Sequence, residues 1–291
     1  MKKGKIIAIG NFDGLHVGHR KILLTTTRKA KIEKRETVAI TFWPHPQTFF
    51  GKKLKLIQPL NERISLIKKV GISEVNVLPF QEIVNFSPKE FLDFLTKRHK
   101  IKAIIVGEEF RFGKDRKGDI KYLKSFGKKK NIYVKGVKVI KFMNEKVSSS
   151  LIRKYLQEGN LQRARIMLGG FYSVKGDVIR GDRRGKIIKF PTANIKYPDD
   201  FLLPDGVYIT KTLINNKYYN SLTHVGPNLT FEGKERKIET YIINFSENIY
   251  EHTIEIFFID YIREIKKFSN RQKLYDAISS DLNYSLSLLQ L

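Results

Sequence analysis

Two histidines three residues apart, His16 and His19, stand in the segment GNFDGLHVGH that spans residues 10–19. The apolar, β-branched run over 5–10 reads as a strand ending at Gly10, and helical spacing runs from His19 to Ala30, so the histidines flank a helix start. A helix N-terminus offers unpaired N–H groups and the positive end of the helix dipole, which together favour a phosphate. Gly14 and Gly18 let the backbone come close to such an anion. Imidazoles placed there can donate hydrogen bonds to phosphate oxygens as charge develops during a displacement. The plainer alternative, two ordinary loop and cap residues, leaves the surrounding strand, glycines and helix without a common purpose. Zinc is poorly supported, because the H-E-x-x-H glutamate and a third ligand are missing.

Two further segments carry groups suited to phosphate. In VSSSLIRKYL (147–156), hydroxyls including Ser149 begin a helix and Arg153 follows one turn in; hydroxyls and a guanidinium fork suit a triphosphate. FPTANI (190–195) follows a glycine-punctuated basic stretch, Lys175 to Lys186, read as a loop whose backbone N–H groups face phosphates, with Arg183 and Arg184 nearby.

The elements around these segments fall into two patterns. In the first half, strands at 5–10, 37–43, 74–80 and 102–107 alternate with helices, one of them opened by a Ser87, Pro88, Glu90 capping box. That order implies a parallel, Rossmann-like α/β sheet covered by helices on both faces, with ligands at the carboxyl ends of its strands. Helices from Ser148 to about Gln157 and up to Gly169–Gly170 close this half. Beyond them GVYITKTLI, KYYNSLTHV, ERKIETYIINF and HTIEIFFID alternate, separated by NN, GPN and SEN turns, which predicts an antiparallel β-barrel with a C-terminal amphipathic helix from about Asn270 to Leu289. The boundary falls near Gly169, giving domains 1–168 and 169–291.

Apolar residues make up 41% of the 291, enough for a real core, and cysteine is absent, which excludes disulfides and thiolate metal sites. The amino-terminal residues lack a secretory pattern, and no apolar run approaches the roughly 18 residues of a membrane span, so the expectation is a soluble cytoplasmic protein without membrane association. The formal charge of +26 is spread over both halves. It fits either a coding bias towards lysine or an attraction for phosphorylated ligands. No specific nucleic-acid partner is expected, since no basic helix or recognisable binding module concentrates the charge.

The H-x-G-H arrangement marks the nucleotidyltransferase superfamily, which also includes class I aminoacyl-tRNA synthetases; the SSSLIR segment in place of a lysine-rich loop argues against the latter. GNFDGLHVGH, TFWPHP, VGEEFRFG, SSSLIR, GDVIRGDRRGKIIKFPTANI and GVY occur in the order of prokaryotic bifunctional FAD synthetases, and the chain resembles that family over nearly its whole length. The resemblance implies ATP-dependent phosphorylation of riboflavin to FMN and adenylylation of FMN to FAD, with Mg²⁺ as cofactor and riboflavin, FMN and ATP as partners. It assigns His16 and His19 to the ATP phosphates, Asn11 and Asp13 to the nucleotide pocket, and Ser149 and Arg153 to the triphosphate. Glu109, Phe110, Arg111 and Phe112 would belong to the flavin site. Thr192 and Asn194 would ligate Mg²⁺ and nucleotide phosphates, and Glu239 would be the kinase base, sharing a strand face with Lys237 and Tyr241. The chain departs from the family at Trp43 and Glu109, and in the second half at Lys189, Asn244 and Glu251. Its rivals are another nucleotidyltransferase, acting on a sugar, choline or pantetheine phosphate and carrying a binding-only barrel, and a basic nucleic-acid-binding protein.

Overall fold

The computed structural model describes residues 4–181, 190–196, 201–231 and 235–289. The chain divides into two compact units, Met1–Leu151 and Ile152–Leu291.

The first unit is built on five strands, β1 (Lys5–Ile9), β2 (Thr37–Trp43), β3 (Glu74–Pro79), β4 (Ile101–Gly107) and β5 (Tyr133–Val137), in the order β3-β2-β1-β4-β5. Every neighbouring pair is parallel. The central strands are apolar at successive positions because both faces are covered. Ile7, Ile9, Val38, Ile40, Ile104 and Val106 face one core. Their alternate neighbours, such as Ile6, Ala8, Ala39 and Ala103, face the other side.

The helices of this unit are α1 (Val17–Glu33), α2 (Pro46–Phe49), α3 (Leu60–Lys69), α4 (Phe80–Ile83), α5 (Pro88–Arg98) and α6 (Ile120–Lys130). Helix α5 begins with the expected reciprocal cap: the Glu90 N–H donates to Ser87 Oγ at 3.2 Å, and the Ser87 N–H donates to Glu90 Oε2 at 2.7 Å. Its Phe91, Leu92 and Leu95 pack on the first core with Leu123 of α6, while Leu23 of α1 and Ile67 of α3 pack on the opposite side. Strand β5 and helix α6 lie in a lysine-rich stretch without clear alternation. A small hairpin, β6 (Lys141–Phe142) with β7 (Glu145–Lys146), precedes α7 (Ser149–Gln157), within which the two units meet along the chain.

In the second unit, α8 (Leu161–Leu168) is capped by Asn160 and ends at Gly169, whose φ of 68° is the left-handed stop. The strands β8 (Tyr172–Ile179), β9 (Thr192–Ile195), β10 (Gly206–Ile214), β11 (Lys217–Gly226), β12 (Lys237–Ile242) and β13 (Thr253–Arg263) close into a barrel in the order β10-β11-β12-β9-β8-β13. A final helix, α9 (Arg271–Leu289), follows. The stretch read as a loop from Lys175 begins inside β8, where the backbone of Lys175 to Asp177 pairs with β13. Glycine at 176 disguises that strand: a β-carbon there would lie 2.3 Å from the Lys196 carbonyl oxygen, so close strand packing selects it. Arg183, Arg184, Lys186 and Lys189 lie outside the described residues.

Two of the departures from the family sit in turns with left-handed backbone, Asn244 at φ 55° and Glu251 at φ 67°. Asparagine tolerates that conformation, whereas a glutamate is strained in it. Replacing Glu251 with glycine should relieve the strain at some cost in chain entropy, and urea unfolding should show a net gain of about 0.5–1 kcal/mol. A loss of stability would mean that the side chain's contacts outweigh its backbone strain.

Candidate active sites

Because β1 to β4 are parallel, the segments leaving their carboxyl ends open on one edge of the sheet. The chain runs outwards from β1 through β2 to β3 and resumes at β4 on the other side of β1, so the order reverses between β1 and β4, the place where such sheets take their ligands. The residues 10–19 leave β1 there, and His16 caps α1: its Nδ1 accepts from the N–H groups of Gly18 at 3.1 Å and His19 at 3.3 Å. An Nδ1 that accepts two backbone donors carries no proton, so the neutral ring bears it on Nε2. The His19 ring stacks on that of His16, with centroids 3.6 Å apart, and meets Phe12 edge-on at 5.4 Å. Burial pushes the His16 pKa down to about 4, against an opposing pull from Asp13. His19 is lowered well below its ordinary value, first by burial and then by His16 and Arg63. Both rings are therefore uncharged at neutral pH when no anion is bound.

Asn11 and Asp13 hold the turn in shape. The Asn11 carbonyl accepts from Thr41 Oγ1 at 3.0 Å and from Arg63 Nη1 at 3.1 Å. The Asp13 carboxylate is fully buried and accepts from the N–H groups of Ile57 at 3.1 Å and Gln58 at 3.3 Å. Arg63, also fully buried, lies 4.0 Å from it. Sequence reasoning missed Arg63, since one arginine on a predicted helix is indistinguishable from its exposed neighbours until the helix is docked. Ser149, 136 positions from Asp13, donates its hydroxyl hydrogen bond to the Asp13 carbonyl at 2.8 Å. That contact brings the two phosphate-suited segments of the first half together. Arg153 is buried one turn further along α7.

The flavin-assigned residues leave β4. Phe110 and Phe112 stack at 5.5 Å, but Phe112 is buried in the core and Phe110 packs partly against it. Arg111 pairs with Asp119 at 3.1 Å and Glu109 pairs with Lys146, both at the surface. Beyond β2, His45 caps α2 by accepting from the Gln47 N–H. Phe49 and the well-exposed Phe50 then meet Phe80 edge-on at 5.3 and 5.9 Å. This exposed aromatic cluster also escaped the sequence reading. Its Phe-Phe pair resembles ordinary core until the strand ends are seen to share an edge.

The second unit contains a cavity of about 600 Å³ lined by Thr192, Asn194, His224, Glu239, Tyr241 and Arg263 together with α9. Asn194, Glu239 and His224 are direct partners across β9, β12 and β11. Along β12 the buried positions are Ile238, Thr240 and Ile242, so Glu239 shares the opposite face with Lys237 and Tyr241, as its alternation predicts. Asn194 is buried, and among the described residues its Oδ1 has no hydrogen-bond partner. An unsatisfied amide oxygen, two residues along β9 from the Thr192 hydroxyl and lining the same cavity, belongs to a donor set of the hard kind that Mg²⁺ prefers. Arg263 donates to the Asp281 carboxylate of α9 from Nε at 3.0 and 3.1 Å and from Nη2 at 2.6 Å, and Phe190 packs between Tyr241 at 5.2 Å and Tyr275 at 5.4 Å. These contacts fix α9 as one wall of the cavity.

Comparison with known proteins follows the same division. The FAD synthetase family matches residues 1–151 and the riboflavin kinase family residues 168–289. The chain belongs to the bifunctional riboflavin kinase/FMN adenylyltransferase family. A protein of that description from Bacillus subtilis is 34% identical over 95% of this chain and 90% of its own length. Another, from Buchnera aphidicola, is 35% identical over 95% and 91%. A solved structure described as a macrolide-efflux protein from Streptococcus pneumoniae has a TM-score of 0.87 at 28% identity, covering 98% of this chain and 95% of that one. Among the described residues no helix is long and apolar enough to cross a membrane.

The depressed His16 pKa makes stability depend on pH. Between its ordinary value of 6.5 and about 4, the unfolded chain takes up a proton that the folded one refuses, so stability falls as the pH drops through that interval. His16→Asn keeps a capping acceptor and removes the titration. The first unit of this variant, followed by the fluorescence of Trp43, should lose up to about 3 kcal/mol less than the parent between pH 7 and 4. Parallel pH curves would show that His16 is protonated as readily in the folded state.

Proposed function

We propose that this family member makes FAD in two steps, phosphorylating riboflavin at the barrel cavity (domain 169–291) and adenylylating FMN at the 10–19 turn (domain 1–168). The observation that carries the first-domain assignment is the Ser149 bond to the Asp13 carbonyl, which puts a second hydroxyl-bearing helix start against the histidine turn. In adenylylation an FMN phosphate oxygen attacks the α-phosphorus of ATP, and pyrophosphate departs. The attacking phosphate is already ionised, so positioning and charge stabilisation are what the site must supply. His16 and His19 present neutral rings whose N–H groups donate to phosphate oxygens, and a bound triphosphate would raise their pKa values by attraction. Asn11 and Asp13 shape the pocket; Ser149 and Arg153 serve the triphosphate. The flavin ring would lie along the strand-end edge, met by Phe110, Arg111, Glu109 and Phe112 after β4 or by the exposed Phe49 and Phe50 after β2.

In the kinase step the terminal ribityl hydroxyl attacks the γ-phosphorus of ATP, and ADP leaves. Glu239 takes the hydroxyl proton. Thr192 and Asn194 would hold Mg²⁺, which when bound neutralises phosphate charge. The partners are riboflavin, FMN and ATP; the reading needs neither nucleic acid nor membrane and places the reactions in the cytoplasm.

Incubation with riboflavin, ATP and Mg²⁺ followed by flavin separation tests both steps. Replacing His16 and His19 together by alanine should abolish FAD formation while FMN formation stays near normal. FAD made at the parent rate would place adenylylation elsewhere. Glu239→Gln preserves size but cannot accept a proton, so FMN formation should fall on the order of 10²–10⁴-fold, with riboflavin binding little changed and FAD still made from supplied FMN. A variant within a few-fold of the parent would reduce Glu239 to an ordinary strand residue.

A further inference from the structure

His224 belongs to none of the roles assigned so far. It lines the barrel cavity. It is paired directly with Glu239 across β11 and β12, and Glu239 is paired in turn with Asn194. Direct cross-strand partners share a face, with β-carbons about 4.5–5.5 Å apart. The three side chains therefore form one row on the outer surface of the barrel, with the imidazole at one end, the carboxylate in the middle and the amide at the other end. Val207 continues the row on β10. It offers no hydrogen bond, so the polar end of the row stops at His224.

The ring's hydrogen-bonding state is constrained. His224 Nδ1 is buried and has no partner among the described residues. Leaving an N–H buried without an acceptor is the costlier alternative, so the neutral ring carries its proton on Nε2. Burial lowers the pKa to about 4, with Asp205 opposing and Arg263 assisting, so the ring is neutral where the enzyme works. A neutral imidazole beside a carboxylate, on the wall of a cavity, can donate one directed hydrogen bond without adding a charge to the site.

We infer that His224 is a substrate-binding residue of the kinase site that donates from Nε2 to a hydroxyl oxygen of the ribityl chain next to the one that reacts. The inference rests on the proposed role of Glu239, which brings the terminal ribityl hydroxyl to the middle of the row. On one side of that point lie Asn194 and Thr192, assigned to metal and phosphates. The carbon next along the polyol must then extend away from them, towards His224. A polyol keeps its hydroxyls solvated in water, and each one buried in the cavity needs a protein partner. His224 is placed to provide one, and it would thereby favour a hydroxylated side chain over a bare flavin ring.

The test compares His224→Leu with His224→Gln, whose amide nitrogen approximates Nε2. For the leucine variant the KM for riboflavin should rise about tenfold, as expected for loss of one hydrogen bond to a buried hydroxyl, while the KM for ATP stays within about twofold. The glutamine variant should recover to within about threefold of the parent. Lumiflavin, which has the ring system but a methyl group in place of the ribityl chain, should inhibit all three proteins equally. Thermal unfolding of each variant checks that the barrel is intact. An unchanged riboflavin KM in the leucine variant overturns the inference. So does a parallel loss of lumiflavin and riboflavin affinity, which would mean that the residue only shapes the cavity. Glu239→Gln assayed alongside separates the two levels: if it keeps full kinase activity, the site reading itself fails and the inference falls with it. If it is impaired while His224→Leu is not, the inference alone fails.

Discussion

A fully buried carboxylate and a fully buried guanidinium underlie the 10–19 turn of the first unit, and the shape of that turn follows from how their charges are satisfied. Taking an ion from water costs several kcal/mol unless hydrogen bonds and an opposite charge replace the lost solvent. Asp13 finds the N–H groups of Ile57 and Gln58, and Arg63 lies 4.0 Å away while donating to the Asn11 carbonyl. Each partner comes from a different element, so β1, the segment before α3 and α3 itself must all be in register before the charges are paired. The backbone carbonyls of Asn11 and Asp13 then stand fixed, and the second accepts Ser149. A rigid turn follows, with two stacked imidazoles at its helical end.

The two proposed sites use charge in the same way. In a chain of formal charge +26, His16 of the first proposed site and His224 of the second are each held near a pKa of about 4 by burial. The general positive field comes from lysines spread over the surface and would raise the local concentration of phosphorylated ligands. The stacked rings of His16 and His19 are uncharged, which avoids repulsion between rings only 3.6 Å apart at their centroids.

The alternation of its strands separates the barrel's buried interior from the proposed kinase site. Inward positions carry a fully buried hydroxyl network: Thr210 meets Ser221 and Thr223, Thr212 meets Ser221, and Thr223 donates to Thr240, all at 2.8–2.9 Å. Every member of that chain has a partner, so the polar interior is not a penalty. Outward positions on β9, β11 and β12 present Asn194, His224 and Glu239 to the cavity closed by α9. A slip of one residue in either strand pairing would exchange the two sets, so the proposed kinase site depends on the same register that buries the hydroxyl network.

Much of this was legible in the chain. The parallel sheet follows from uninterrupted apolar runs that can only be buried on both faces, and the cap at Ser87 from a local pattern that folds the same way in any context. His16 as the helix-opening residue is likewise local, since strand, glycines and helix lie within a few positions of it. The row on β12 follows from alternation. Other features depend on contacts between distant residues, and sequence does not encode those by spacing. Arg63 differs from any exposed arginine only after α3 has docked. Phe49, Phe50 and Phe80 become a surface only when the exits of β2 and β3 share an edge, and Lys175–Asp177 become a strand only because β13 pairs with them. The partnership of Asn194, Glu239 and His224 required three strands to be set side by side. Local propensity decides which elements form, because its forces act over a turn or two; the identity of the groups that meet in a site is set by register and docking, which only the folded chain can fix.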